Sequence, residues 1–250
     1  MSIVFDPSAV VSVKAKPLPV IMLLDVSGSM TGEKIQNLNT AVKDMLETFR
    51  NTENGETEIH VAAVTFGSEV KVHQILASAG DITWIDLPAG GGTPLGAAIS
   101  MTKAMIADKN VVPSRAYRPV VVLVSDGQPN DKWEQPLDDF ISEGRSAKCD
   151  RMAMAIGADA DKSVLSKFIK GTEYPLFYAE NAGQLKDFFK FLTMSVTIRT
   201  QSQNPDVVPV PGDIGVKPET IEARAEKPVS SAQKPSAVQG EEKPNEEGYW

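Results

Sequence analysis

The sequence predicts an α/β fold: a doubly wound, Rossmann-like, mostly parallel central sheet flanked by helices, with one short antiparallel edge strand. Between residues 19 and 198, short β-rich runs alternate with stretches of helical period. The runs at 20–24 and 120–124 are apolar throughout, as expected of strands that helices cover on both faces. Right-handed crossovers would join such strands. Ligands in these folds lie beyond the carboxyl ends of the strands, so we expect a functional site there.

Five predicted elements fill the first half of this region. The sequence places strands at residues 20–24, 59–66 and 69–73 and helices at residues 32–49 and 95–106. The first helix has one apolar face, formed by Ile35, Leu38, Val42, Met45, Leu46 and Phe49. The turn at Gly67-Ser68 makes the strand that follows it the antiparallel edge strand.

The second half alternates in the same way. It contains predicted strands at residues 120–124, 151–156 and 176–178 and predicted helices at residues 133–147, at residues 161–169 and after Asn181. The run at 120–124 is the most β-branched in the chain, which favours a central strand. Pro136 must lie in the first turn of its helix or delay the start. Asn181 is suited to cap the last helix.

The composition predicts one domain with an extension at each end. A chain of 250 residues with 42% hydrophobic content can bury a single substantial core. We assign residues 1–18 to an N-terminal extension, 19–200 to the domain and 201–250 to a disordered acidic tail rich in Pro, Glu and Lys. The tail lacks the apolar residues needed to offset the entropy of ordering it. Its aromatic end, Tyr249-Trp250, could be a docking motif.

Charge and cysteine content exclude several classes of function. A net charge of −8 and a pI near 4.9 argue against binding to nucleic acid or to an anionic membrane surface. The single cysteine, Cys149, cannot form an internal disulfide. The first apolar run ends at Asp25 and is too short for a signal peptide or a membrane span. We therefore expect a cytoplasmic protein.

Three polar clusters follow the predicted strands or precede a helix. Asp25, Ser27 and Ser29 come directly after the first strand, Thr93 lies in the glycine-rich loop before a helix, and Asp126 follows the central strand. Together they offer two carboxylates and three hydroxyls. Such an all-oxygen set suits Mg²⁺, with Mn²⁺ or Ca²⁺ as alternatives. Two carboxylates only balance a divalent cation, so the metal would still attract an Asp or Glu carboxylate of a partner protein.

These clusters resemble, in order and in context, the metal-ion-dependent adhesion site (MIDAS) of von Willebrand factor A domains. The resemblance covers about residues 19–198 and implies a metal-dependent protein-interaction module that is not an enzyme. It also implies that Asp25, Ser27, Ser29, Thr93 and Asp126 are the metal-site residues. The loops at 91–96 and 125–133 are similar to the bacterial, cytoplasmic, tellurium-resistance-associated (TerY-type) branch. That similarity implies a stress-response system with phosphatase-like and kinase-like partners.

Other functions remain open from the sequence. A metal-dependent hydrolase, such as a phosphatase, could use Asp25 as a phosphoryl acceptor. However, Ser27 stands where a second aspartate is expected, and no His or Lys is placed as a general acid or base. A P-loop ATPase is excluded because its glycine-rich lysine motif is absent. An extracellular adhesin and an adaptor subunit for an AAA+ ATPase are further alternatives.

Several polar residues of the clusters have simpler explanations. Ser29 could cap the first helix, with or without a metal. Ser125, Gln128, Asn130 and Asp131 are interpreted as rim residues that stabilise the loop or touch a partner. His60, His73 and Cys149 are interpreted as packed or solvated side chains without a catalytic role.

Overall fold

A computed structural model describes residues 15–52, 57–157, 160–209, 214–215 and 218–220. Its strands are β1 (Lys16–Asp25), β2 (Thr57–Phe66), β3 (Val70–Ser78), β4 (Val120–Ser125), β5 (Asp150–Ile156) and β6 (Phe177–Ala179). Its helices are α1 (Glu33–Arg50), α2 (Leu95–Ala107), α3 (Glu134–Ser142), α4 (Lys162–Phe168) and α5 (Ala182–Gln201). Within these ranges no helix is long and apolar enough to cross a membrane.

The strands form one sheet in the order β3-β2-β1-β4-β5-β6. All neighbours pair in parallel except β2 and β3, which pair antiparallel. The predicted doubly wound fold with one antiparallel edge strand is therefore confirmed. Leu24 is level with Thr65 of β2 and with Val124 of β4. This register brings the ends of β1, β2 and β4 to one edge of the sheet.

Helices cover both faces of the sheet and bury two apolar layers. Alternate residues of β1 belong to different layers. Leu18, Val20, Met22 and Leu24 pack with α1 and α5. Ile21 and Leu23 point to the other face, where they pack with α2, α3 and α4. Neighbouring side chains of a strand point to opposite faces. A central strand of this kind is apolar at every position, which is why its sequence shows no alternation.

The largest differences from the predicted boundaries are in three elements. β1 begins at Lys16, inside the predicted extension, because its first residues pair with β2 while the ladder to β4 starts only at Val20. The carbonyl of Pro17 accepts a hydrogen bond from Tyr117 N, on the side of β4. The nitrogen of a strand residue points to the same side as its carbonyl, and β4 does not yet pair with β1 at this level. A proline is tolerated there because no strand needs its N–H. β3 is longer than predicted. α3 is shorter, because Gly144 with φ 62° breaks the helix.

Where the structure describes it, the chain after α5 packs against the domain. Pro205 O accepts a hydrogen bond from Arg199 Nε at 2.7 Å. Ile214 is buried, and Thr220 forms an antiparallel bridge with Phe177 of β6. Isolated apolar side chains and backbone groups of this segment therefore contact the folded domain. Local composition does not reveal such contacts. Residues 1–14, 210–213, 216–217 and 221–250, including Tyr249-Trp250, lie outside the described residues.

Candidate metal-binding site

The five predicted metal-site residues come together at the carboxyl edge of the sheet. Ser27 Oγ and Ser29 Oγ share a hydrogen bond of 2.9 Å, and Ser29 Oγ donates to Asp126 Oδ1 at 2.7 Å. The loop after β1 is thereby joined to the loop after β4, 97 residues further along the chain. Ser29 does not cap α1, because Gly32 occupies that position.

Gly127 has no side chain, and side-chain oxygens of the site lie around the position that its Cβ atom would occupy. A Cβ atom at this position would lie 3.3 Å from Thr93 Oγ1, 3.7 Å from Ser29 Oγ and 3.8 Å from Asp25 Oδ2. These three oxygens come from two segments, the loop after β1 and the glycine-rich loop, and they lie within 4 Å of one point beside Gly127 in the loop after β4. Hard oxygen donors around such a space are the ligands that Mg²⁺ and Ca²⁺ take. The residues present therefore fit a divalent cation.

Asp25 is buried at the end of β1 and is held by two hydrogen bonds. Its Oδ1 accepts from Ser27 N at 2.9 Å, and its Oδ2 accepts from Ser125 Oγ at 2.6 Å. Ser125 was expected on the rim of the site, but it is buried behind Asp25. The paired register of β1 and β4 could have indicated this contact, because it puts the two residues side by side.

Lys34 is a member of the cluster that the sequence analysis did not identify. Its ammonium forms an ion pair with Asp126 Oδ2, while the Asp126 side chain is fully buried and that of Lys34 is 40% exposed. The sequence places no lysine as a general acid or base of the cluster, whereas the structure brings the ammonium of Lys34 to Asp126. Lys34 is the second residue of α1, and the first turn of this helix faces the strand ends.

The carboxylates of the site outnumber its positively charged side chains. Burial raises the pKa of the Asp25 carboxyl above its ordinary value, hydrogen bonds from Ser125 and Ser27 lower it, and the charge of Asp126 raises it. Desolvation and a like charge both oppose the ionised form. Two buried carboxylates and one lysine leave an excess negative charge, which favours the binding of a cation.

Backbone contacts fix the loop after β1 against the glycine-rich loop. Gly90 N donates to Val26 O at 2.7 Å, and Gly28 N donates to Gly91 O at 2.9 Å. At Gly67 in the β2–β3 turn, a Cβ would lie only 2.7 Å from Gly90 O. A glycine is therefore required where these three loops meet.

Asp131 connects the loop after β4 to α2. Its two carboxylate oxygens accept hydrogen bonds from Gly96 N and Ala97 N, each at 2.9 Å. The residue at the N-cap position of α2, Pro94, offers no side-chain cap, so Asp131 supplies the cap from another loop. This contact is more specific than the rim role predicted for Asp131, and it keeps Thr93 beside Asp126.

The remaining candidates lie away from the site. His60 Nε2 lies 3.0 Å from Glu58 Oε2 without hydrogen-bond geometry, His73 Nε2 bonds to Ile85 O at 2.8 Å, and Cys149 is buried before β5. Burial raises the pKa of the Cys149 thiol to about 12, which fits its interpretation as a structural residue. Within the described ranges, no three or more His, Cys, Asp or Glu residues form a further metal-binding cluster; the candidate site has two carboxylates and otherwise hydroxyls.

Comparisons with known proteins relate the chain to one family. The family model described as von Willebrand factor type A domain matches residues 20–191. Matrilin-3 from Gallus gallus is 25% identical over 182 residues, which cover 69% of this chain and 39% of that protein. The chain thus spans about two fifths of the length of this relative.

Two solved structures have a similar fold. Proximal thread matrix protein 1 from the mussel byssus, with a zinc-occupied MIDAS motif, has a TM-score of 0.57 at 18% identity and covers 72% of this chain and 48% of its own. The ArnB paralog VWA2 from Sulfolobus acidocaldarius has a TM-score of 0.54 at 17% identity, covering 73% of this chain and 46% of its own. At these identities the likeness establishes the fold alone.

Proposed function

Because the chain belongs to the von Willebrand factor type A domain family, we propose that it is a divalent-metal-dependent protein-interaction module and not an enzyme. Asp25, Ser27, Ser29, Thr93 and Asp126 would hold the cation. The observation that carries this proposal is the space beside Gly127 of the loop after β4, where oxygens of the loop after β1 and of the glycine-rich loop lie together. An Asp or Glu carboxylate of the partner protein would complete the metal shell.

Mg²⁺ is the metal that this donor set favours, with Mn²⁺ or Ca²⁺ as substitutes. Carboxylate and hydroxyl oxygens suit these hard cations, whereas imidazole and thiolate ligands are preferred by softer metals. When bound, the cation would supply the positive charge that attracts an external carboxylate. Ser125 would orient Asp25, and Asp131 would keep Thr93 and Asp126 on one side of the site.

Lys34 supports the choice of an acidic partner. Two carboxylates alone would neutralise a divalent cation, but the ammonium on Asp126 adds a further positive charge. The loaded site would therefore carry net positive charge in a chain whose overall charge is −8. A negatively charged side chain is the group that such a local field attracts.

The cellular setting of this module is a second part of the proposal. We place it in a bacterial cytoplasmic stress system of the tellurite-resistance type, because the loops at 91–96 and 125–133 resemble those of the TerY-type branch. Co-purification with phosphatase-like or kinase-like proteins of such a system would support this setting. Consistent recovery of an AAA+ ATPase instead would contradict it.

Metal titration and partner capture test the function directly. Asp25→Ala and Thr93→Ala should lose Mg²⁺ uptake in calorimetry and should lose partner capture in affinity purification, as should wild type with chelator. Thr40→Ala is a matched control, because Thr40 is exposed on α1 and its hydroxyl bonds within the helix. Circular dichroism checks the fold. Normal partner capture by both site variants would refute the metal-dependent mechanism.

A metal-dependent phosphatase is the alternative that one observation favours, namely the lysine at Asp126. Against it, both oxygens of Asp25 already accept hydrogen bonds, which reduces the nucleophilicity of this carboxylate. Turnover of a phosphate-ester panel with Mg²⁺ that is lost in Asp25→Asn would establish the phosphatase. We expect no turnover above that of the variant.

A further inference from the structure

A second cavity lies next to the candidate metal site. Its volume is about 200 Å³, and its walls include the apolar side chains of Val26, Leu87 and Ala89. The exposed side chains of Glu69 and Lys71 line its outer part. The cavity opens between the loop after β1, the β2–β3 turn and the segment before the glycine-rich loop. It has room for about one side chain.

The hydroxyl of Thr65 is the unusual feature of this cavity. Thr65 lies near the end of β2, is 1% exposed and lines the cavity. Its Oγ1 is buried and has no hydrogen-bond partner among the residues that the structure describes. A buried hydroxyl without a partner is unfavourable, and such a group in a native protein calls for a ligand or a water.

The cavity is physically connected to the metal site. Val26 lines the cavity and stands between Asp25 and Ser27 in the chain. Gly90 also lines the cavity, and its N–H donates to the carbonyl of Val26 at 2.7 Å. A peptide that placed an acidic side chain on the metal would therefore carry its neighbouring residues past this opening.

We propose that the cavity is a subsite for a short, uncharged hydrogen-bonding side chain of the partner, namely Ser, Thr, Asn or Gln. This inference rests on the proposed function, because the partner's metal-bound carboxylate positions the segment. Thr65 would supply the hydrogen bond, while the apolar walls would contact the aliphatic part of the side chain. A charged side chain is disfavoured because its desolvation is costly, and because Glu69 and Lys71 already pair with each other at 3.3 Å.

A displayed peptide library tests the subsite without knowledge of the partner. The library carries one fixed Asp with randomised flanking positions and is selected on the full chain with Mg²⁺. Wild type should enrich Ser, Thr, Asn or Gln at one fixed distance from the Asp. Thr65→Val, which replaces the hydroxyl by a methyl group, should shift that position to small aliphatic residues. Thr65→Val should also bind the peptide selected on wild type about tenfold more weakly, as expected for the loss of one buried hydrogen bond.

The outcomes separate the subsite from the proposed function. Thr193→Val is the matched control, because Thr193 is also buried but its hydroxyl donates to Phe189 O on α5; its selection profile should equal that of wild type. If selection requires Mg²⁺ and Asp but shows no uncharged polar preference, or if Thr65→Val keeps that preference, the cavity holds water only and the subsite is refuted. If selection on wild type requires neither Mg²⁺ nor Asp, the proposed function fails, and the subsite fails with it.

Discussion

Lys34 places a fixed positive charge at the carboxylate that also faces the metal space. Because its ammonium pairs with Asp126, a metal ion bound there would meet a site whose negative charge is already reduced. A metal ion and an ammonium that share one carboxylate repel each other. Lys34 would therefore lower the affinity for the metal while making the loaded site more attractive to an acidic partner.

We expect Lys34→Met to bind Mg²⁺ about tenfold more tightly than wild type, because the repulsion is removed, with partial exposure limiting the size of the effect. Calorimetric titration measures the affinity, and capture of an Asp-bearing peptide should weaken in the same variant. Lys43→Met is the control, because Lys43 forms an exposed ion pair with Asp86 outside the site. Unchanged Mg²⁺ affinity in Lys34→Met would exclude this role for the lysine.

The buried hydroxyl of Thr65 leads to a prediction about stability that can be tested without a ligand. Its buried hydroxyl has no partner among the described residues of the free protein, so Thr65→Val should raise the free energy of unfolding by about 1 kcal/mol. Thr193→Val should lower it by a similar amount, because Thr193 Oγ1 loses a 2.6 Å hydrogen bond to Phe189 O. Urea unfolding measures both values. A loss of stability in Thr65→Val would mean that its hydroxyl is already satisfied in the free protein.

At the scale of elements, the candidate site depends on contacts between loops that are far apart in sequence. The sequence revealed Asp25, Ser27 and Ser29 because these residues are close together behind an apolar strand. Fold reasoning then added Thr93 and Asp126, since both lie at the edge where ligands bind in such sheets. These inferences needed only the order of the elements.

Sequence reasoning missed the roles that depend on register and loop geometry. The contact of Ser125 with Asp25 requires β1 and β4 to be level with each other. The contacts of Asp131 with the start of α2 require two loops to meet in a defined way. Neither relation leaves a local pattern, so composition and periodicity predicted only that these residues lie near the site.

Asp131→Ala tests the connection between the two loops. The variant loses the only side-chain acceptor that the described structure gives to the first N–H groups of α2, which should lower the free energy of unfolding by about 1 kcal/mol. Because Thr93 and Asp126 are then held less firmly, Mg²⁺ affinity should also fall. Asp138→Ala is a control for lost surface charge, since Asp138 pairs with Lys167 on the surface. A variant with reduced stability but full metal affinity would limit Asp131 to a capping role.

At the scale of the molecule, the end of the domain opposite the metal site is held together by arginines. The fully buried side chain of Arg199 donates to Pro205 O at 2.7 Å, to Arg118 O at 2.8 Å and to Asp150 Oδ2 at 3.2 Å. One guanidinium thus joins α5, β5, the segment before β4 and the chain after α5. The packing of residues 202–209 therefore depends on contacts with the completed fold, which their composition alone does not reveal.

Arg199→Met tests whether this one side chain stabilises the whole domain. Of the ion pairs that the described residues give to Asp150, the variant would keep only the 3.6 Å pair to Arg118. It would also remove the donor from Pro205 O, so the free energy of unfolding should fall by about 3–5 kcal/mol. Urea unfolding measures this loss, and hydrogen exchange should become faster at residues 206–208. Arg115→Met, at an exposed arginine that contacts Ala15 O, should cost about 0.5 kcal/mol or less. Mg²⁺ affinity of folded Arg199→Met should remain that of wild type, because the arginine lies at the opposite end of β5 and β4. Equal losses in the two variants would show that the buried arginine network contributes no more than a surface contact.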